Sequence, residues 1–306
     1  MVDQKRLFEV KSATISNFNE LWTANFKANK SLIARYPGVT SLFEKFTDIP
    51  AIVVGAGPSL DKNIRWLAPA QDHALIISVD TILGAMEKIG VRPTIAVSLD
   101  PQPDIAMMFE GVRSSGIPLV APTIIHPSVL EAWKGELVFY NKFAPDIPRL
   151  VEIGKSNPET GYLIPGGSVL SIGLDLAFRM GANPIAFIGQ DLSYPKGSAY
   201  SKNTIYGDAG YEELLKEKLG DMVTDTDIFG RETPTQKSLF VTKQWMEWAF
   251  TTWKRKNKAD FYNCTEGGIV TRHCQITTFE EWVLKFCKDK KNFKWAIQKA
   301  LKRKKR

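Results

Sequence analysis

The chain has little cysteine and no long apolar run. Three of its 306 residues are cysteines, Cys264, Cys274 and Cys287, and none belongs to a CxxC pair. This usage argues against a disulfide framework and against a structural zinc site, and it fits a reducing cytoplasm. No apolar run approaches the roughly 18 residues of a transmembrane helix, and the N-terminus shows no apolar signal segment. We therefore expect a cytoplasmic protein without a transmembrane segment.

Basic charge is concentrated at one end of the chain. The net charge is +7, but Lys285–Arg306 carries eleven Lys and Arg against one Asp, so the rest of the chain carries about −3. The body is therefore not a basic domain that binds nucleic acid. Two interpretations of the tail stay open, namely a solvated end of an amphipathic helix and a segment that docks to an acidic partner or a membrane surface.

The composition and pattern that are present predict a large α/β domain. Hydrophobic residues make up 44% of the chain, which excludes a disordered protein. Uninterrupted apolar runs such as Ala51–Val54, Leu75–Val79 and Pro184–Ile188 alternate with helical stretches. Such runs are typical of strands that are buried on both faces of a parallel sheet. We predict a doubly wound, Rossmann-like and mostly parallel sheet.

The organisation along the chain suggests additions to this core. We predict an N-terminal helical segment over residues 1–47, which packs on the back of the domain or pairs with another chain. The Rossmann-like core spans 48–194, and a polar, turn-rich lid insertion follows over 195–237. A helix and an edge strand at Phe261–Tyr262 complete the core over 238–284. The basic tail over 285–306 is predicted to be helical.

Ligands of open parallel sheets bind beyond the carboxyl ends of the strands, where five segments are rich in glycine or polar residues. They are Gly55-Ala56-Gly57-Pro58-Ser59-Leu60, Asp80-Thr81, Asp100-Pro101-Gln102, Pro165-Gly166-Gly167-Ser168 and Gly189-Gln190-Asp191-Leu192-Ser193-Tyr194. The glycine-rich segments expose backbone N–H groups to phosphate or nucleotide oxygens. Plain turns with a capping serine are the alternative. Neither GxGxxG nor a P-loop is present.

Single side chains add candidate roles. Asp80 and Asp100 can bind ribose hydroxyls or a metal, or simply cap helices. Tyr194 and Tyr200 have hydroxyls that can hold a phosphate without fixed charge, or they are structural tyrosines of a surface loop. His126 is a conceivable general base, with a packing or turn role as the alternative.

Several motifs together resemble one known family. The stretches IPAIVVGAGPSLDKNI, ISVDTILGAMEKIGVRPTIAVSLDPQ, GGSVLSIGLDLAFRMGANPIAFIGQDLSY and NCTEGG occur in this order between about Trp22 and Gly268. They resemble the motility accessory factors, bacterial glycosyltransferases that attach nonulosonic acids to Ser or Thr of flagellin. The core is also similar to sialyltransferases that use CMP-sialic acid. The resemblance implies a CMP-sugar donor, a protein or glycan acceptor such as flagellin, and no metal or other cofactor.

The resemblance also implies roles for site residues. Gly55–Leu60 and Gly166–Ser168 hold the nucleotide, and two tyrosines six residues apart (here Tyr194 and Tyr200) steady the departing phosphate. Beyond the resemblance, we expect Asp80, Thr81, Asp100, Gln102 and Gln190 to contact the rest of the donor. Sialyltransferases have a catalytic histidine in the lid, whereas this lid reads DIFGRETPTQK. The general base therefore stays open among Asp100, Asp191 and His126, and a further alternative is that the acceptor needs little help from a base.

Two other functions remain possible on these residues. The same domain family includes 6-hydroxymethylpterin diphosphokinases, and the core is similar to thiamine pyrophosphokinases, in which carboxylates hold Mg²⁺ and ATP. Asp80 and Asp100 stand in comparable places, and Mg²⁺ is a cofactor only under this alternative. The last alternative is a non-catalytic nucleotide-binding or interaction protein.

Overall fold

A parallel sheet organises the chain. The computed structural model describes residues 4–207, 221–257 and 259–301, which contain a nine-stranded sheet in which all neighbouring strands are parallel. The strands are β1 (Ala51–Val54), β2 (Leu75–Val79), β3 (Ile95–Val97), β4 (Leu119–Pro122), β5 (Leu137–Lys142), β6 (Tyr162–Leu163), β7 (Ile185–Ile188), β10 (Phe261–Asn263) and β11 (Gln275–Ile276); β8 (Met222–Thr226) and β9 (Glu232–Gln236) form a separate antiparallel hairpin. The predicted Rossmann-like fold is confirmed.

Helices cover the sheet and connect its strands. They are α1 (Gln4–Arg35), α2 (Leu60–Asn63), α3 (Leu67–Ala70), α4 (Leu83–Lys88), α5 (Pro127–Ala132), α6 (Pro148–Ser156), α7 (Val169–Arg179), α8 (Lys237–Asn257), α9 (Phe279–Phe286) and α10 (Phe293–Leu301). The apolar sequence of α7 explains its burial, and its Gly173 lets the helix approach Val53 of β1 closely. Short 3-10 turns extend several helix starts, including Asp80–Ile82 before α4.

The strand order reverses beside β1. The order across the sheet is β11-β10-β7-β1-β2-β3-β4-β5-β6. The chain therefore winds outward from β1 to β6, and α7 returns it to β7 on the other side of β1. Val54 pairs with Ile188 at the carboxyl ends of these two strands. The loops after β1 and β7 consequently leave the sheet side by side, which is where ligands bind in this class of fold.

The N-terminal helix lies at the carboxyl edge of the sheet, whereas we expected it to pack on the back of the domain or to pair with another chain. The Asn25 amide donates to the carbonyls of Pro101 and Ile124, and the Asn29 amide donates to the carbonyl of Ile125. These carbonyls belong to the loops after β3 and β4. Hydrogen bonds from buried amides therefore fix α1 beside the expected ligand site.

Other differences concern the second half of the chain. The sequence predicted that Phe261–Tyr262 forms an edge strand. In the structure these residues belong to β10, which is an inner strand because β11 lies at the edge of the sheet. The predicted lid contains the β8–β9 hairpin. Helix α10 of the basic tail docks on the core through Phe293, Ile297 and Leu301.

Parts of four predicted segments lie outside the described residues: 1–3 of the N-terminal segment, 208–220 of the lid, residue 258 of the segment that completes the core, and 302–306 of the tail. Within the described ranges, no helix is both long and apolar enough to cross a membrane.

Candidate functional site

A cavity of about 360 Å³ opens between the carboxyl ends of β1 and β7, and we call it the first cavity. It brings together residues from four of the five segments that the sequence singled out, although they are far apart along the chain. The predicted residues that line it are Gly55, Ala56, Gly57, Thr81, Gly167, Ser168, Gln190, Asp191, Tyr194 and Tyr200. The topological switch therefore collects most of the predicted site.

The glycines after β1 serve a contact between two loops. A Cβ on Gly55 or Gly57 would lie 2.5 or 2.7 Å from the carbonyl oxygen of Gly189 in the loop after β7. Gly57 N also donates to that oxygen, at 2.7 Å. We expected these glycines to admit a ligand to the backbone, but they admit the neighbouring loop. Their contact closes one side of the first cavity.

The next three residues lie behind the cavity wall. Pro58, Ser59 and Leu60 are not among the lining residues, and Leu60 is fully buried in the core. Ser59 N donates to Asp191 Oδ2 at 3.2 Å, so this N–H group, which we expected to face a phosphate, binds the protein instead. The turn supports the site without supplying all of the predicted donors.

The start of α7 faces the first cavity. Ser168 caps the helix, and Gln190 Nε2 donates to Ser168 Oγ at 3.3 Å. Gly166 and Gly167 leave room for α8, since a Cβ there would collide with the Trp245 ring or with Thr242 Oγ1. Gly166 is therefore a packing position outside the lining. The first N–H groups of α7 have no partner within the helix and carry its positive dipole end. This helix start can therefore attract an anion.

Asp191 is a buried carboxyl group between the two loops. It lines the first cavity and is 2% exposed. Burial raises its pKa to about 6, although hydrogen bonds from Ser59 and the charge of Lys62 act in the opposite direction. Asp191 thus carries a proton for part of the time near neutral pH.

The two predicted tyrosines lie on the lid side of the first cavity. Tyr194 is buried, and its N–H donates to the Pro234 carbonyl at the hairpin. Tyr200 packs against Tyr206 with ring centroids 5.0 Å apart. Burial, together with Tyr206 and Asp80, raises the pKa of Tyr200, so its hydroxyl remains a donor at neutral pH. Ser201 N donates to the Ala56 carbonyl at 2.8 Å and ties this segment to the turn after β1.

Asp80 is placed behind the cavity wall. It is 1% exposed and does not line the first cavity, whereas Thr81 does. Asp80 Oδ2 accepts from Ser98 Oγ at 2.7 Å, and Oδ1 accepts from Thr81 N at 2.8 Å. Burial raises the pKa of Asp80 despite these bonds. Oδ1 therefore holds the turn after β2, and Oδ2 links that turn to the loop after β3. Asp80 is not the N-cap residue of the 3-10 turn Asp80–Ile82.

Asp100 belongs to a neighbouring second cavity of about 400 Å³ over the ends of β3 and β5. Asp100 and Lys142 line this cavity, which shares the wall Gly167–Val169 with the first one. Gln102 is exposed and lines neither cavity; its N–H donates to Asp100 Oδ1 at 3.0 Å.

His126 lies outside both cavities. It is the N-cap residue of α5, and its Nδ1 lies 2.7 Å from Ser128 Oγ and 3.4 Å from Ser128 N. The structure thus favours the turn role of His126 over the general base role.

Sequence reasoning missed part of the lining. In the second cavity, the sequence analysis missed Lys142, although its position at the carboxyl end of strand β5 could have indicated a site residue. In the first cavity, Ser193 lay within a predicted segment without being singled out. Gln236, Ser238 and Leu239 come from the junction of β9 and α8, which lies outside the nine-stranded parallel sheet. In the described part of the chain, the first cavity is lined by no Lys, Arg or His side chain. Apart from the Asp191 carboxyl group, hydroxyls, amides and backbone groups form its polar lining.

Comparisons with known proteins agree with this architecture. A family model described as "6-hydroxymethylpterin diphosphokinase MptE-like" matches residues 23–197. An uncharacterized protein of Treponema pallidum (strain Nichols) is 30% identical over 90 residues, which are 28% of this chain and 40% of that protein.

A solved structure shares the fold. The structure of MAf glycosyltransferase from Magnetospirillum magneticum AMB-1 matches with a TM-score of 0.60 and 18% identity, over 86% of this chain. This chain spans 40% of the length of that protein. At this identity, the match establishes the Rossmann-like fold. Because the family model covers more than half of the chain, the chain belongs to the MptE-like family.

Proposed function

We propose that the chain is a glycosyltransferase whose first cavity binds a nucleotide-activated sugar. The observation that carries the proposal is that the start of α7 lines the same cavity as Tyr194 and Tyr200. A helix start binds a phosphate through its N–H groups, and tyrosine hydroxyls donate to the same group. The fold shared with MAf glycosyltransferase supports this assignment.

The charge of the first cavity supports a CMP-sugar as the donor. A CMP-sugar has one phosphodiester with one negative charge, whereas ATP carries three phosphates. No cationic side chain lines the described cavity, and Asp191 adds a carboxyl group. Dipoles can hold one charge there, but several charges would repel one another and Asp191. The motif resemblance adds a nonulosonic acid as the sugar and Ser or Thr of flagellin as an acceptor.

The proposed reaction is displacement at the anomeric carbon. The bond from this carbon to the phosphate oxygen breaks, and the electron pair stays on the phosphate. Tyr194 and Tyr200 donate hydrogen bonds to it as its charge develops. The acceptor oxygen forms the new bond and passes its proton to a base. Asp100 is our candidate, because it is half-buried at the cavity next to the shared wall.

The proposal includes the surroundings of the site. The segment after Tyr194 and the β8–β9 hairpin contact the core beside the first cavity, and we assign them the role of a lid that excludes water. A protein or glycan acceptor, a cytoplasmic location and docking of the basic tail belong to the same proposal.

The family description favours a second candidate, a diphosphokinase that uses Mg²⁺ and ATP. The residues fit such a metal poorly, because both oxygens of Asp80 already accept hydrogen bonds and Asp100 lies in the other cavity. No group of three His, Cys, Asp or Glu suited to a metal occurs among the described residues.

Isothermal titration with CMP, and separately with ATP plus Mg²⁺, tests the two candidates. We expect metal-independent CMP binding that weakens about tenfold in Ser168→Ala, which removes the cap of α7. Ser41→Ala is the matched control, because Ser41 donates to Gly38 O outside the site. Binding of ATP only with Mg²⁺, and none of CMP, would replace the glycosyltransferase by the diphosphokinase. Binding of neither would support a non-catalytic protein.

A further inference from the structure

The second cavity contains a lysine that has no partner among the described residues. Lys142 is partly buried at the end of β5 and lines this cavity. In the described part of the chain, its ammonium group has no hydrogen bond and no ion pair within 4.0 Å. Burial lowers the pKa of Lys142, and the negative charge of Asp100 partly opposes that effect.

An ammonium group in this position suits an anionic ligand. Partial burial weakens its hydration, and the described residues supply no opposite charge in hydrogen-bond contact. Its three N–H donors can bind a carboxylate directly. The carboxylate on the same wall, Asp100, accepts from Gln102 N rather than from Lys142.

Another wall of the second cavity is apolar. Phe18 and Trp22 of α1 line it and stack with ring centroids 5.7 Å apart and planes 19° apart. Ile147 extends this apolar surface. The cavity therefore combines aromatic rings, which can pack on the C–H face of a sugar ring, with a cation that can bind an acidic group on that ring.

We propose that the second cavity holds the glycosyl part of the donor and that Lys142 binds its carboxylate, which selects acidic sugars over neutral ones. This inference rests on the proposed glycosyltransferase function. The two cavities meet at Gly167–Val169. A donor whose phosphate lies at the start of α7 would place its nucleotide in the first cavity and its sugar in the second. Its anomeric carbon would then lie beside the shared wall.

The test compares donor affinities of the full chain and its Lys142→Met variant. The probes are CMP and a hydrolysis-resistant 3-fluoro analogue of CMP-N-acetylneuraminate. We expect Kd for CMP to stay within about twofold and Kd for the analogue to rise about tenfold in Lys142→Met, with partial rescue in Lys142→Arg. Lys134→Met is the control, because Lys134 is exposed and donates to the Glu131 carbonyl. An unchanged ratio of the two Kd values would overturn the inference. A higher acceptor KM with unchanged donor Kd values would overturn it as well, because the anion would then belong to the acceptor.

A second measurement separates this inference from the proposed function. Reductive methylation of Lys142, followed by mass spectrometry, is compared with and without free N-acetylneuraminic acid, and neutral N-acetylmannosamine serves as the control sugar. Protection by the acid alone supports the anion site even if CMP does not bind. If CMP binds, but the acid does not protect Lys142 from methylation and Lys142→Met does not weaken binding of the analogue, the anion site is overturned and the nucleotide site is retained. Failure of both measurements overturns both.

Discussion

The two cavities share one wall but differ in charge. The first is lined by glycines, hydroxyls, amides and the buried Asp191, and the second by aromatic rings, Asp100 and Lys142. The first suits a group that must be held while its charge changes, because dipoles and hydroxyls stabilise charge without fixing it. The second suits a group whose charge must be recognised. One edge of the sheet thus holds two adjacent cavities of different electrostatic character.

The cavities also differ in how the chain builds them. The first depends on the loops after β1 and β7, which the parallel pairing of those strands places side by side. The second depends on α1, whose Phe18 and Trp22 form a wall. Breaking the contact between the two loops should therefore damage the first cavity most.

The largest effect is expected for Gly57→Val. The new side chain would collide with the Asp191 carboxylate and the Gly189 carbonyl, and overpacking of this kind costs about 3 kcal/mol. We expect a lower free energy of unfolding in urea and loss of CMP binding. Gly84→Ala is the control, since its Cβ would meet nothing within 4 Å in α4 and should be neutral or slightly stabilising. Equal behaviour of the two variants would contradict the proposed loop contact.

Asp191→Asn should change how stability depends on pH. Burial raises the pKa of Asp191 from 3.8 to about 6, so between these values the folded protein holds a proton that the unfolded chain has lost. The contribution of Asp191 to stability is therefore greatest below pH 3.8 and falls as pH rises to about 6, by about 3 kcal/mol in all. Asparagine removes this decrease.

Urea unfolding of the unsubstituted chain and of Asp191→Asn, from about pH 4 to pH 7.5, measures the free energy of unfolding at each pH. The other titratable groups are the same in both proteins, so the difference between the two curves reports on Asp191 alone. If the two curves of stability against pH are parallel, burial does not raise the pKa of Asp191. The experiment also contrasts the two cavities, because Asp191 is buried whereas Asp100 and Lys142 of the second cavity are only partly buried.

Tyr194→Phe and Tyr200→Phe should each lower kcat about 100-fold if their hydroxyls stabilise the departing phosphate. CMP affinity should change less than about threefold, because the hydroxyls act mainly on charge that develops during the reaction. Steady-state transfer from a saturating CMP-sugar measures kcat, and single-turnover transfer measures the rate constant of the chemical step. Tyr36→Phe is the control, because Tyr36 lines neither cavity. Normal kcat in both variants would remove the tyrosines from the mechanism.

The smallest effect is expected for His126→Ala. The side chain caps α5, and loss of a cap costs about 1 kcal/mol of stability. Turnover should stay unchanged, because His126 lies outside both cavities. A large loss of kcat with a normal melting temperature would restore the general base interpretation. This variant therefore tests whether the chemistry is confined to the two cavities.

The sequence predicted the first cavity better than the second. Glycines, Ser168, Gln190 and the two tyrosines follow apolar strands or open an apolar helix, so their position at one sheet edge follows from the parallel pattern. Gln236 and Ser238 line the same cavity from the junction of β9 and α8. This junction lies outside the parallel sheet, so the pattern of parallel strands does not predict its position. Asp80 was predicted as a site residue because a carboxylate after a strand can either bind a ligand or hydrogen-bond to the neighbouring turn. The sequence does not distinguish these two roles.

Local sequence patterns were enough to predict the parallel sheet, the sheet edge that holds the candidate site and the family motifs, because buried strands and strand-end glycines leave a local pattern. The tertiary structure alone decided which loops touch, that α1 lies beside the site, and that Lys142 lines a cavity with Asp100 and Trp22. The physical reason is that these features depend on contacts between residues far apart in the chain. A pattern of neighbouring residues contains no signal for such contacts.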